Sequence, residues 1–190
     1  LFIDHEIQVA EKDEKIYSST FFNSSCELSK KNNHVAIIGG GDGGVARECL
    51  DNNVNYIDWY ELDPEIVESC YRHLPTVCSK VKKSNTVNTF WGDAFESIKF
   101  AEDSKYDKIF VDLNDDQYCI DLARKNMKGL KRILKPGGII TAQVGSKDKK
   151  PKQVKNWCAV LEKSFGNVSV SGVHIPSFDC NWNFASSIMK

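Results

Sequence analysis

After residue 33 the chain alternates short apolar runs with stretches of helical periodicity, the pattern of a parallel sheet covered by helices on both faces. Residues 35–38 predict the first strand and 44–50 its helix, while 56–60 predict a second strand ending at Glu61. Asp63 then caps a further helix, with Pro64 in its first turn, where a missing N–H costs nothing. Residues 86–91 and 106–111 read as strands three and four, closed by Gly92-Asp93 and by Asp112. A long helical pattern over 117–134 stops at Lys135-Pro-Gly-Gly138, and a strand follows over 139–143. Residues 157–165 read as a helix. Two β-rich segments, 168–175 and 183–189, come last and can pair antiparallel through a loop over 176–181.

The front of the chain breaks this alternation. Two short strands around an Asp-His turn predict that residues 1–20 are the tail of a small β-domain, ahead of one α/β domain over 21–190. A two-stranded piece is marginal alone. It therefore leans on the main domain, or belongs to a larger N-terminal region or a partner subunit.

Composition narrows the function classes. With 190 residues, 41% hydrophobic and 27% charged, the chain can bury one sizeable core. Lys plus Arg at 25 against Asp plus Glu at 26 leaves a formal charge of -1, which gives no basic footprint for nucleic acid or an anionic membrane. No apolar run approaches the roughly 20 residues of a membrane span. The first residues lack the basic start and small-residue cleavage site of a signal peptide, so the expected location is cytoplasmic. Seven cysteines, at 26, 49, 70, 78, 119, 158 and 180, never fall in Cys-x-x-Cys spacing, which points to reduced thiols and away from a disulfide framework or a zinc site. No His-His-carboxylate spacing suggests a metal. The lysine-rich patch over 147–152 reads as a solvated loop, and the four tryptophans read as packing residues.

Chemistry concentrates between the first strand and its helix, in Gly39, Gly40, Gly41, Asp42, Gly43 and Gly44. A glycine-rich turn after a first parallel strand brings backbone close to a ligand and aims a helix N-terminus at it, which ordinarily suits phosphate. A carboxylate at Asp42 repels a pyrophosphate. The better guest is a nucleoside whose tail carries positive charge, such as a sulfonium with an amine. The bland alternative is that Asp42 only turns or caps the loop.

In open α/β sheets ligands sit outside the carboxyl ends of the strands, and here those ends carry Asp42, Glu61, Asp93 and Asp112 in turn. Glu61, about 17 residues beyond Gly44, is placed to accept from a ribose diol, a feature shared with nicotinamide enzymes. Asp93 can accept from an adenine amino group, and can also cap the helix beginning at Ala94. Asp112 and Asp115 follow strand four, where the reacting end of such a ligand would lie.

Residues 35–48, Glu61-Leu-Asp63, Trp91-Gly-Asp93, Val111-Asp112-x-x-Asp115 and Gln143 together resemble the polyamine aminopropyltransferases, the spermidine synthase family. Upstream, Leu1-Phe-Ile-Asp4, Ile7-Gln8 and Glu11-Lys-Asp-Glu14-x-x-Tyr17 are similar to the end of that family's N-terminal β-domain; downstream the similarity reaches Ile175-Pro-Ser-Phe178. The resemblance implies a Rossmann-like doubly wound sheet of the class I methyltransferase type, with a β-rich N-terminal remnant and a C-terminal antiparallel hairpin. It also implies transfer of an aminopropyl group from decarboxylated S-adenosylmethionine, a co-substrate and not a prosthetic group, to putrescine or a similar polyamine, releasing methylthioadenosine. By the same analogy Asp112 is the catalytic base, helped by Asp115 and Tyr17. Glu61 binds ribose, Asp93 with Ala94 binds adenine, and Gln8, Asp42 and Gln143 hold the donor's chain. A homo-oligomer, dimer or tetramer, is implied too.

Departures from the family pattern keep other readings open. After Asp112 the order Leu-Asn-Asp115-Asp116-Gln117 replaces the usual Ser-Ser-Asp-Pro and its glycine-proline gate, and Phe178 stands where a tyrosine is usual. A shortened gate and a lost hydroxyl alter the acceptor side, and the front of the chain is short of a full β-domain. Two alternatives remain: an S-adenosylmethionine-dependent amine methyltransferase, and a non-catalytic aminopropyltransferase-like subunit.

Overall fold

A computed structural model describes residues 1–3 and 5–190. Asp4, quoted in the N-terminal motif, lies outside the described residues. Strands β1 (Phe2–Ile3) and β2 (Glu6–Ile7) pair antiparallel as a separate small sheet, and helix α1 (Glu14–Cys26) follows. The main unit then runs β3 (His34–Gly39), α2 (Gly44–Asp51), β4 (Tyr56–Glu61), α3 (Pro64–His73), α4 (Pro75–Lys82), β5 (Val87–Trp91), α5 (Ala94–Ser97), β6 (Tyr106–Asp112), α6 (Gln117–Ile133), β7 (Leu134–Gly145), α7 (Pro151–Phe165), β8 (Ser169–Ile175) and β9 (Cys180–Ile188).

Its seven strands lie in the order β5-β4-β3-β6-β7-β9-β8, the first five parallel and β9 and β8 added antiparallel. The order reverses direction between β3 and β6, which makes the crevice at their carboxyl ends the topological switch point. Because side chains alternate across a strand, one run of apolar residues supplies both faces. Val35 and Ile37 of β3 join Trp59, Phe110, and Phe21 and Phe22 of α1; Ala36 and Ile38 join Ile109, Ile140, and the α6 and α7 residues Leu130 and Trp157. This is the expected α/β doubly wound fold with its C-terminal hairpin.

Four local features differ from the pattern reading. Helix α1 was not anticipated, and the boundary expected at residue 20 falls inside it. Its buried face is serine-rich: Ser24 donates to Thr20 O at 2.7 Å and Ser25 to Phe22 O at 2.7 Å, so back-bonded hydroxyls stand where apolar side chains would reveal a helix. The expected stop at Lys135-Pro-Gly-Gly138 is instead the start of β7. A register shift between Tyr106 and Lys108 of β6 absorbs the extra residues, and Gly137 and Gly138 exchange bonds with Met189 at 2.8 Å each. Helix α7 begins at Pro151, at its favoured first position, so the lysine-rich patch is loop only as far as residue 150. Finally, β9 begins at Cys180, leaving Pro176–Phe178 as one tight turn closed by Asp179 at φ 49°.

Candidate active site at the strand ends

The glycine turn is hung between two strands. Trp59 on β4 donates its indole N–H to Gly39 O at 2.8 Å, and Gly40 N donates to the Asp112 carbonyl at 3.1 Å. Gly39, Gly40 and Gly43 all have positive φ, 77°, 68° and 78°, which a side chain would strain. Space is equally restrictive. A Cβ on Gly40 would lie 2.9 Å from Asp112 Oδ2, and one on Gly41 3.2 Å from Glu61 Oε2. The loop therefore threads between two carboxylates with only backbone to show them. Asp42 accepts from Gly44 N at 2.6 Å, so it does turn the loop as well as face the crevice.

Across the crevice, Tyr17 of α1 donates its phenol to Asp112 Oδ1 at 2.6 Å. Burial pushes the Asp112 carboxyl up to about 6; the Tyr17 hydrogen bond opposes this, while the charges of Glu61 and Glu14 add to it. Asp42 is pushed up to about 7, by burial first and by the nearby Asp112 next. Glu61 is raised by burial, against the N–H groups of Asp63 and Leu62. The Tyr17 phenol is held well above its ordinary value by burial and by Asp112, so it stays a donor. The nearby cation, Arg47, is already committed: it bonds Glu14 at 2.6 and 3.1 Å and Glu48 at 2.8 Å. The crevice is thus a concentration of carboxylates short of positive charge, suited to a cationic guest.

Gln8, Tyr17 and Asp42 line one small cavity together with Asp13, Glu14 and Phe178. Glu61 accepts from Asp63 N at 3.0 Å at the end of β4, and Gly92 N donates to the Glu61 carbonyl at 2.9 Å, which sets Asp93 beside it. Asp93 is exposed and caps α5 through Phe95 N at 2.8 Å, with half-buried Ala94 next to it. Two candidate residues point elsewhere. Asp115 is buried against Gly145 and pairs with Lys150 at 3.3 Å, not with the crevice carboxylates. Gln143 donates to Leu113 O and accepts from Gly145 N at 3.1 Å, which makes it a brace for the segment after β6. That segment is short, residues 113–116, before α6 begins. Among the described residues no group of three His, Cys, Asp or Glu side chains converges to hold a metal.

The sequence pattern assigns no role to Asp13, Glu14 or Arg47, and takes Trp182 as a packing residue. Asp13 accepts from both the N–H and the hydroxyl of Ser177, at 2.7 and 2.9 Å, and ties the start of α1 to the β8–β9 turn. Phe178, Trp182 and Tyr17 pack ring against ring behind it, with centroids 4.8 to 6.5 Å apart. The signal was present: Glu14, Tyr17 and Ser18 fall at helical spacing on one face, once residues 14–26 are known to be a helix.

Residues 14–190 match the family model described as the spermine/spermidine synthase domain. Polyamine aminopropyltransferase of Prochlorococcus marinus (strain NATL1A) is 32% identical over 196 residues, covering 98% of this chain and 67% of that protein. Polyamine aminopropyltransferase of Korarchaeum cryptofilum is 27% identical over 187 residues, covering 97% of this chain and 58% of that one. A crystal structure of spermidine synthase in complex with the transition state analogue AdoDATO superposes with a TM-score of 0.90 at 20% identity, over 98% of this chain and 65% of that one, a likeness of fold. The chain thus spans about two thirds or less of the length of these relatives.

Proposed function

The chain belongs to the spermine/spermidine synthase domain family, and we propose that its crevice transfers an aminopropyl group from decarboxylated S-adenosylmethionine to a primary amine such as putrescine. One observation carries this reading. Asp42 and Asp112 stand together at the switch point, where burial and the Asp112 charge disfavour ionisation of Asp42 and burial with Glu61 and Glu14 disfavours that of Asp112, while the adjacent Arg47 is engaged by Glu14 and Glu48. A donor bearing a sulfonium and an ammonium relieves that strain, while a donor that keeps its carboxylate restores it, so selection works by repulsion as well as attraction.

Each side chain then has a task. Glu61 accepts from the ribose hydroxyls, and Asp93 with Ala94 meets the adenine edge. Gln8 and Asp42 hold the donor's charged chain. The acceptor amine arrives protonated and cannot attack carbon. Asp112 holds it and takes its proton, and the freed nitrogen lone pair attacks the methylene beside sulfur. The carbon–sulfur bond breaks with its electrons going to sulfur, which neutralises the sulfonium and releases methylthioadenosine. Tyr17 keeps Asp112 ionised and oriented. Gln143 supports this arrangement through Leu113, and Asp115 borders it through Lys150. Phe178 supplies a wall without a hydroxyl, which suits less polar contact along the acceptor.

The same reading makes residues 1–20 the end of a small β-domain, the working form a homo-oligomer of two or four copies, and the location cytoplasmic. No helix of the described residues is long and apolar enough to cross a membrane. Calorimetric titration with decarboxylated against intact S-adenosylmethionine, followed by turnover of the tighter ligand with putrescine, cadaverine and spermidine, tests it. Preference for the decarboxylated donor with product formation is expected. Preference for the intact donor moves the chain to amine methylation, and donor binding without turnover assigns it a non-catalytic role.

A further inference from the structure

Lys108 is fully buried in the middle of β6, next to the buried apolar run Ile109, Phe110 and Val111. Among the described residues it forms no ion pair with a carboxylate. Its ammonium lies 5.2 Å from the Phe22 ring centroid and donates to one polar atom, Cys26 Sγ, at 3.0 Å. A buried amine without an acid is costly. A lysine here is also a local conflict with the strand pattern, of the kind that marks a functional position. Cys26, the last residue of α1, is half-buried, so small solutes reach it while Lys108 cannot turn away.

We propose that Cys26 and Lys108 form an oxidative cross-linking site, in which a peroxide converts the pair to a sulfenamide. Hydrogen peroxide oxidises the Cys26 thiol by two electrons, leaving sulfenic acid and one water. The Lys108 amine, having given its extra proton to solvent, then attacks sulfur. A sulfur–nitrogen bond forms, the sulfur–oxygen bond breaks, and the oxygen leaves as a second water. The chain loses two hydrogen atoms in total, and an added thiol reverses the step by attack on the same sulfur.

The neighbouring thiol does not compete well. Cys49 is fully buried, and burial holds its thiol far above the ordinary value, which keeps it protonated and a poor nucleophile. The link would staple the last residue of α1 to the middle of β6 without touching the crevice, which lies at the Tyr17 side of α1 and the carboxyl end of β6. It joins residues 82 apart in sequence, so it also constrains the unfolded chain.

Peptide mapping of the full chain after mild hydrogen peroxide treatment tests the proposal. The expected result is one linked peptide pair containing Cys26 and Lys108, lighter than its parts by two hydrogens, with trypsin no longer cutting after Lys108 and with reversal by dithiothreitol. Cys49→Ser leaves the link intact, whereas Cys26→Ser and Lys108→Arg each abolish it; the wild-type map alone decides if a variant misfolds. A Cys26–Cys49 disulfide, a Cys26 sulfinic acid with Lys108 still cut, or an oxygen-retaining link would each overturn it.

Discussion

The phenol of Tyr17 donates to the carboxylate of Asp112 at 2.6 Å, joining two residues 95 positions apart across the crevice. That bond lowers the carboxyl's affinity for protons against the opposing pull of burial and of Glu61 and Glu14. The proposed base is therefore tuned from α1 and not only from its own strand.

Tyr17→Phe removes this donor and leaves the ring packing. The acid limb of the rate profile, expected near pH 6 in the native chain from Asp112, should move upward. Turnover at pH 6 should fall several-fold more than turnover at pH 8.5, as read from kcat against pH for both proteins. An unmoved limb would separate Tyr17 from the proton transfer.

The crevice carboxyls set a second pH dependence, on stability. Burial raises Asp42 to about 7 and Asp112 to about 6 in the folded chain, above the roughly 3.9 of an unfolded aspartate. Their contribution is fully present below that unfolded value and is lost as pH rises through about 6 and about 7. Asp42→Asn should raise the Tm of the ligand-free protein at pH 8, with the gain shrinking toward pH 5, and should weaken donor binding at least tenfold. Thermal unfolding at the two pH values with a donor titration checks both. An Asn variant no more stable at pH 8 would contradict the charge crowding.

Backbone exposure of the acids depends on Gly40. With φ at 68° and Asp112 Oδ2 only 2.9 Å from a Cβ, Gly40→Ala should cost about 1–2 kcal/mol from the left-handed backbone alone. It should also reduce kcat/KM more than Gly137→Ala, where φ is 75° but nothing lies within 4 Å of the added methyl. Denaturant unfolding and steady-state rates of the two variants make the comparison.

Asp115 behaves as half of an ion pair. Lys150→Met leaves a buried carboxylate without its cation and should cost about 1 kcal/mol, a value between exposed and buried pairs. Adding Asp115→Asn should return much of that loss, which a double-mutant cycle by urea unfolding measures. Additive losses would mean that the pair contributes nothing.

The acids at the strand ends were legible because topology alone fixes where a strand's carboxyl end lies. Asp42, Glu61, Asp93 and Asp112 needed only the strand assignments to fall around one crevice. Side-chain direction is a different matter. Asp115 and Gln143 sit at equally suggestive positions, yet one turns to Lys150 and the other to Leu113, contacts made across 35 and 30 residues that no local pattern encodes. Helix α1 was hidden because serines, satisfied by their own carbonyls, replaced the apolar stripe that announces a helix. The bulge in β7 was hidden because proline and glycines punctuate a turn equally well.

Asp13 grips Ser177 with both carboxylate oxygens, and this grip has a consequence for the order in which the molecule comes into being. During translation α1 emerges well before the turn after β8. The cavity lined by Gln8, Asp42 and Phe178 has no wall on that side until then. A nascent chain that has not yet made that turn lacks the wall supplied by Ile175, Ser177 and Phe178. The wall closes only when the β8–β9 turn meets the start of α1, and for that, residues 164 positions apart must find each other.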